Sequence, residues 1–330
     1  MKSCLLVALV AGTMIAIFLV PLPYNHDLAA IMNKRDLLKD GLRNRVIFVG
    51  GSGIYSALDS ELIEHRLGRP VRNVGLWAGF GITAVLREIQ EYLRPGDVVV
   101  LVPEYGMIYD DHLDASRKWI FTLSPIRNFA ALYGGSLAGV RNFALDFISL
   151  IRYKVEAIPY AAREAMRLHD PGIFTAGGYV DYRKFFNAYG DSYRIFPAAA
   201  SPDRIAHRNE NYFSLATYRG QSLANVNEFC RDERSHGVET LLVFPAYPRE
   251  EYEQFQGGLR QYEKRLRAEL ACPILGGPQD FLYPYRLFTD TIHHLGIEGK
   301  RRRSERLAEL LEQKLASPSP VSLPADGSHS

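Results

Sequence analysis

Residues 46–60 read VIFVGGSGIYSALDS, with Ser52 set among Gly50, Gly51 and Gly53 between an apolar run and a helix-like pattern. Three chemistries suit a serine on such a turn: a phosphate cradle, a nucleophile, or only a tight connection. The phosphate reading fails on spacing. Gly51-x-Gly53 is followed by Ser56 where a dinucleotide fingerprint needs a third glycine or alanine. The acidic residue wanted about 20 positions on is replaced by Asn73, and no Gly-Lys-Ser/Thr follows to make a P-loop.

A nucleophilic serine needs a base within reach, and the base needs a group to orient it. Of the nine histidines, only those in FTDTIHHLGIEGKRRRSERLAEL, which starts at Phe288, stand in such a setting. Asp290 precedes His294 by four residues, and groups one helical turn apart can face the same way. A carboxylate so placed can hold the imidazole Nδ1 proton and leave Nε2 for Ser52.

The elements around these residues must bring them together. Residues 45–49, 71–76 and 97–102 read as strands, with helices expected over IYSALDSELIEHRLG and over 82–93. RPGD marks the turn before the third strand. The alternation resumes with a helix near 217–235, a strand in VETLLVFPAYP and a charged helix over 249–270. A short strand in ACPILGG and a terminal helix over 296–315 follow. Strands separated by helices predict an α/β fold with a mainly parallel sheet covered on both faces. Loops after parallel strands gather at one edge, so the first turn and the last loop can meet.

These stretches resemble the SGNH/GDSL hydrolase superfamily, in particular its membrane-anchored, DltD-like or exopolysaccharide-associated group. The matching pieces are FVGGSGIYSALDSE, RNVGLWAGFG, RPGDVVVLVPEY, LLVFPAYP and FTDTIHHLGIEGKRRRSERL. The resemblance implies a three-layer α/β/α fold with a flavodoxin-like parallel sheet. It implies a serine esterase or O-acyltransferase with Ser52 as nucleophile, His294 as base and Asp290 as its orienting acid. His294 is chosen over His293 by the pattern D-x-x-x-H-L-x-x-x-G, matched by Asp290, His294, Leu295 and Gly299; the commoner D-x-x-H spacing would select His293. The oxyanion would be received by the amides of Ser52 and Gly79, with Gly75 and Gly81 as competing glycines. The chain departs from the family in the third block, where VPEYG replaces G-x-N-D. Glu104 cannot donate unless protonated, so either Tyr105 or a residue of the insertion replaces the asparagine, or the enzyme is slow, or Glu104 has a role of its own such as holding a substrate hydroxyl. Asn73, Glu104, Tyr105 and His293 are the further candidates for lining the site. Neither a metal nor an organic cofactor is implied. The implied substrate is an acylated envelope or secreted carbohydrate, with polysaccharide-assembly proteins as partners. The departure at block three motivates an alternative, an inactive scaffold that keeps the fold.

Composition bounds the rest. The 330 residues are 47% hydrophobic and 23% charged, which is ordinary for a globular chain. A net charge of +2 gives no argument for nucleic acid. Cys4, Cys230 and Cys272 form no metal-ligand spacing, and pairing of the last two in an oxidising compartment stays open. Cys4 to Leu22 is an uncharged apolar run about as long as a bilayer-spanning helix needs. It lacks a small-x-small cleavage site, so an uncleaved anchor is expected rather than a signal peptide. The cationic residues after it, Lys34 to Arg45, run against a simple positive-inside count; large domains translocate regardless, and the domain is expected outside the cytoplasm. The expected organisation is an anchor over 1–23, a tether over 24–44, an α/β domain over 45–315 and a tail over 316–330. An aromatic-rich helical insertion occupies 107–215, and the Ser/Pro-rich tail has a disordered composition. The basic run Lys300 to Arg306 reads as a solvated helix face.

Overall fold

The computed structural model describes residues 26–109, 186–192 and 221–316, with isolated positions between 5 and 16 and between 141 and 159. Within them the chain is a mixed α/β protein built on a parallel sheet. In chain order the strands are β1 (Val46–Gly50), β2 (Val71–Asn73), β3 (Val98–Val102), β4 (Glu239–Val243), β5 (Tyr247–Pro248), β6 (Ile274–Leu275) and β7 (Leu282–Tyr283). The main sheet has the order β2-β1-β3-β4-β6 with every pair parallel, and β5 and β7 form a small second sheet. Strands β1 and β3 are buried along their whole length. Their uninterrupted Val, Ile, Leu and Phe runs suit a sheet packed on both faces.

The helices are α1 (His26–Leu38), α2 (Ser52–Tyr55), α3 (Ser60–Leu67), α4 (Ile82–Gln90), α5 (Tyr105–Tyr109), α6 (Gln221–Ser235), α7 (Arg249–Gln254), α8 (Gln256–Glu269) and α9 (Ile297–Ala316). Helix α3 packs on α9, while α4 packs on α6 and α1. The strand order reverses at β1, and right-handed crossovers then put α3 on one face and α4 and α6 on the other. At such a reversal the loops after β1 and β3 diverge and open a crevice at the carboxyl edge. Ser52 follows β1, and Glu104 follows β3, each by two residues.

Three expectations change. The helix read over IYSALDSELIEHRLG is two helices, because Asp59 caps the second by accepting the Leu62 amide at 3.1 Å. The charged helix over 249–270 likewise breaks at Phe255. The tether over 24–44 is largely helix α1, whose Ala30, Ile31, Lys34 and Leu38 are buried. Its inward stripe carries a lysine where an apolar residue is the usual sign of packing. Lys34 Nζ donates to the Asn73 carbonyl at 2.9 Å and to the Gly190 carbonyl. Arg35 meets buried Glu88 on α4.

Below the sheet, Arg45 and Asp97 are fully buried together, with the guanidinium also donating to the Leu38 and Tyr92 carbonyls. Cys230 and Cys272 are free and buried. A hydrogen bond with Cys230, and then burial, push the Cys272 thiol up. Of the 107–215 insertion, residues 186–192 form a turn closed by an antiparallel bridge between Phe186 and Ser192. Most of the remainder lies outside the described residues, as do the tail beyond 316 and nearly all of Cys4 to Leu22. Among the described residues no helix is long and apolar enough to cross a membrane.

Candidate active site

Ser52 is the first residue of α2 and only partly buried. Its Oγ lies 2.9 Å from His294 Nε2, and His294 Nδ1 lies 2.8 Å from Asp290 Oδ1. The tautomer with hydrogen on Nδ1 satisfies both contacts: Nδ1–H donates to Asp290 and Nε2 accepts from the serine. The serine and the imidazole are 242 residues apart in sequence. What joins them is the loop between β7 and α9, folded back so that Thr289 N–H donates to the His294 carbonyl at 2.9 Å. Thr289 Oγ1 also donates to Asp290 Oδ1 at 3.0 Å. His294 is buried while the Asp290 side chain is about half exposed. Burial pushes the Asp290 carboxyl up, but the hydrogen bond and charge of His294 and the Thr289 hydroxyl outweigh it and hold it below the ordinary range.

The glycines around Ser52 have a specific reason. A Cβ on Gly51 would stand 2.4 Å from Glu104 Oε1, and one on Gly53 would stand 3.1 Å from the His293 carbonyl. The turn is bare so that a carboxylate and the histidine loop can close on it. Glu104 is buried, and its Oε1 accepts the Gly53 amide at 3.0 Å and the Ser52 hydroxyl at 3.3 Å. Its Oε2 is 3.7 Å from His293 Nε2. His293 therefore faces Glu104, and the imidazole bonded to Ser52 is that of His294.

The other sequence candidates divide. Gly79 is buried in a 3-10 turn, Ala78–Phe80, which packs on the serine turn where Ala78 approaches Gly51. Tyr105 is buried with its ring edge-on to Tyr247 and Tyr262, and Tyr247 in turn lies 6.3 Å from the His293 ring. It belongs to an aromatic wall behind His293. Asn73 is not a lining residue: it is fully buried. Its Nδ2 donates to the Ile54 carbonyl at 3.1 Å and to Asp191 Oδ1 at 2.7 Å, and its Oδ1 accepts the Gly75 amide at 3.0 Å. With those groups engaged inside the protein, it fastens the end of α2 to β2.

One participant was hidden in the basic run. Arg303 is 1% exposed, and its Nη1 donates to the Gly53 carbonyl at 2.8 Å. Burial lowers the guanidinium to about 10, opposed by the charges of Tyr283 and Glu104. The neighbouring Ser304 is equally buried and its Oγ accepts the Asp59 amide at 2.8 Å. Arg301 and Arg302 do face solvent. The signal was periodic: Gly299, Arg303, Leu307 and Leu311 are spaced by four along α9 and are all buried.

No family model matches the chain, and no curated protein matches it. Among solved structures, an acetyl xylan esterase from the rumen bacterium Butyrivibrio proteoclasticus is similar at 11% identity and a TM-score of 0.26. The match covers 82% of this chain and 64% of that one, so the chain spans less than two thirds of the esterase's length. A TM-score of that size does not establish a shared fold.

Proposed function

We propose that the protein is a serine-dependent acyl-transfer enzyme of the SGNH/GDSL type, with Ser52, His294 and Asp290 as its triad. The observation that carries this reading is the unbroken chain of contacts, 2.9 Å and 2.8 Å, from hydroxyl to imidazole to carboxylate. Ser52 Oγ attacks an ester carbonyl while its proton passes to His294 Nε2. Asp290 keeps the Nδ1 proton in place and favours the imidazolium that forms. The backbone amides of Ser52 and Gly79 receive the tetrahedral anion. Collapse expels the alcohol, which takes the proton from His294 and leaves an acyl-serine. A water or a sugar hydroxyl, deprotonated by the same imidazole, then releases the acyl group as acid or as a new ester. This chemistry requires no metal or organic cofactor. The substrate is an O-acylated carbohydrate of the cell envelope or a secreted polysaccharide. Cys4 to Leu22 anchors the chain, and the α/β domain works outside the cytoplasm beside polysaccharide-assembly proteins.

A second reading, an inactive scaffold of such an assembly, is favoured by one observation. Glu104 accepts hydrogen bonds beside the serine where the family has a donor. Hydrolysis of p-nitrophenyl acetate by the full chain in detergent, with a fluorophosphonate as covalent label, separates the two. The enzyme labels at Ser52, and Ser52→Ala removes the label and lowers the rate by on the order of 10⁴–10⁶. Equal rates for both proteins with neither labelled would leave the scaffold.

A further inference from the structure

Gly53 is held at both ends of its backbone by opposite charges. Its N–H donates to Glu104 Oε1 at 3.0 Å, and its carbonyl accepts from Arg303 Nη1 at 2.8 Å. Glu104 comes from the end of β3 and Arg303 from α9, so the sheet and the last helix grip the serine turn through one residue. Both side chains are buried, and the Glu104 charge offsets part of the lowering that burial imposes on Arg303.

We propose that Glu104 and Arg303 form a charge-balanced clamp on Gly53 that positions Ser52 for His294, which makes Glu104 a positioning residue rather than a replacement oxyanion donor. The clamp rests on the nucleophile reading for its consequence but not for its geometry. An oxyanion donor must present a hydrogen, yet Glu104 Oε1 already accepts one from the Gly53 amide and stands 3.3 Å from the Ser52 hydroxyl as a second acceptor for its proton. As an ionised group it is acceptor only. The Gly53 amide, the next donor along from Ser52, is thereby taken out of the anion site. The serine proton has two acceptors, and the shorter contact, 2.9 Å against 3.3 Å, goes to His294. Arg303 answers the electrostatic difficulty, because a buried carboxylate beside a forming anion requires a nearby countercharge.

Replacing Glu104 by glutamine keeps an oxygen for the Gly53 amide and removes the charge; alanine removes both. Exchange of the Gly53 amide is read by NMR on full-length, 15N-glycine-labelled Ser52→Ala protein in detergent. Glu104→Ala is expected to speed that exchange about tenfold or more, the loss of roughly one hydrogen bond, and Glu104→Gln to stay within about threefold. With Ser52 present, the fluorophosphonate labelling rate is expected to fall by up to about 100-fold in Glu104→Ala, as misplacement of a reacting group does. Glu104→Gln recovers most of it. Arg303→Met removes the buried guanidinium that balances Glu104, leaving His293 as the nearest group able to carry a positive charge, and slows labelling; adding Glu104→Gln to it restores part of the rate. Unchanged Gly53 exchange in Glu104→Ala overturns the clamp. So do equal labelling losses for alanine and glutamine, or a double variant that is the simple product of the singles. If wild type takes no label, the nucleophile reading fails while the exchange ratio still decides the clamp.

Discussion

The Ser52 site and the Lys34–Asn73–Asp191 network lie on either side of the same short helix and use similar side chains. They are built to opposite ends. In the sealed network Asp191 accepts from Ser60 N at 2.8 Å, Ser60 Oγ at 2.7 Å and Asn73 Nδ2 at 2.7 Å, and Lys34 lies over the Phe186 ring. All four polar residues are buried. In the site the same currency of hydroxyl, amide and carboxylate ends in solvent: Ser52 is partly exposed and the Asp290 side chain about half exposed. A polar network closed on every side resists change, because any altered partner leaves a buried group unpaired. One that opens at an end can pass a proton along and admit a substrate.

That contrast predicts that activity and stability separate. Asp290→Asn should keep the imidazole in place but unsettle its tautomer, lowering kcat by about 10⁴-fold. The carboxylate is about half exposed, so the melting temperature should move by no more than about 1–2 °C. Rates with p-nitrophenyl acetate and calorimetry on the same preparation test both halves. A large loss of melting temperature would mean that the site, too, serves the fold.

Asn73→Ala should do the reverse. It removes the acceptor of the buried Gly75 amide and takes one of two hydrogen bonds from the Ile54 carbonyl, which keeps the Ala57 amide, and from Asp191 Oδ1, which keeps the Ser60 hydroxyl. At about 1–3 kcal/mol for the buried amide left unsatisfied and about 0.5–1.5 for each of the two other hydrogen bonds lost, with partial relaxation, about 2–4 kcal/mol is expected. For a domain of this size that lowers the melting temperature by about 4–7 °C. Activity well below that temperature should fall less than about tenfold, since Asn73 reaches the site only at second hand, through Ile54 and through the segment that begins at Gly75. If activity collapses while stability holds, Asn73 belongs with the lining residues after all.

The site was far more legible in the sequence than the network beside it. Ser52, Asp290 and His294 are chemically distinctive types at a usable spacing, and strand–helix alternation alone places their loops on one edge. Asn73, by contrast, offers an amide that suits either a ligand or a backbone carbonyl, and only the position of Asp191 decides between them. Asp191 sits in the inserted region, more than 100 residues from Asn73, as a loop residue with no periodic pattern to mark it. Helix α1 escaped because its buried stripe includes Lys34, and Arg303 escaped inside a run of exposed arginines for the same reason. Hydrophobic periodicity finds apolar faces. A charged residue packed inward is visible only through its partner, which the local sequence does not contain.

Lys34 gives the smallest and most selective test of the sealed side. Burial lowers its ammonium from 10.5 to about 7, with the charge of Asp191 opposing the shift. The groups that face it are Asp191, the Asn73 and Gly190 carbonyls and the Phe186 ring. Below about pH 7 the folded and unfolded chains both hold the proton, and the cost of burying the charge is constant. Above about 10.5 neither holds it and the cost is gone. Between the two the unfolded chain binds a proton that the folded chain has released, so stability must rise with pH. The slope from this one group is at most about 1.4 kcal/mol per pH unit. Lys34→Met removes the titration, although it strands two carbonyls and so lowers stability at every pH. Urea unfolding of both proteins at pH 7.5 and 8.5 isolates the effect as a difference of differences. The wild type should gain about 1 kcal/mol more than the variant over that step. Equal gains would mean that Asp191 and the two carbonyls keep the ammonium charged, making the sealed network an ion pair rather than a neutral lock.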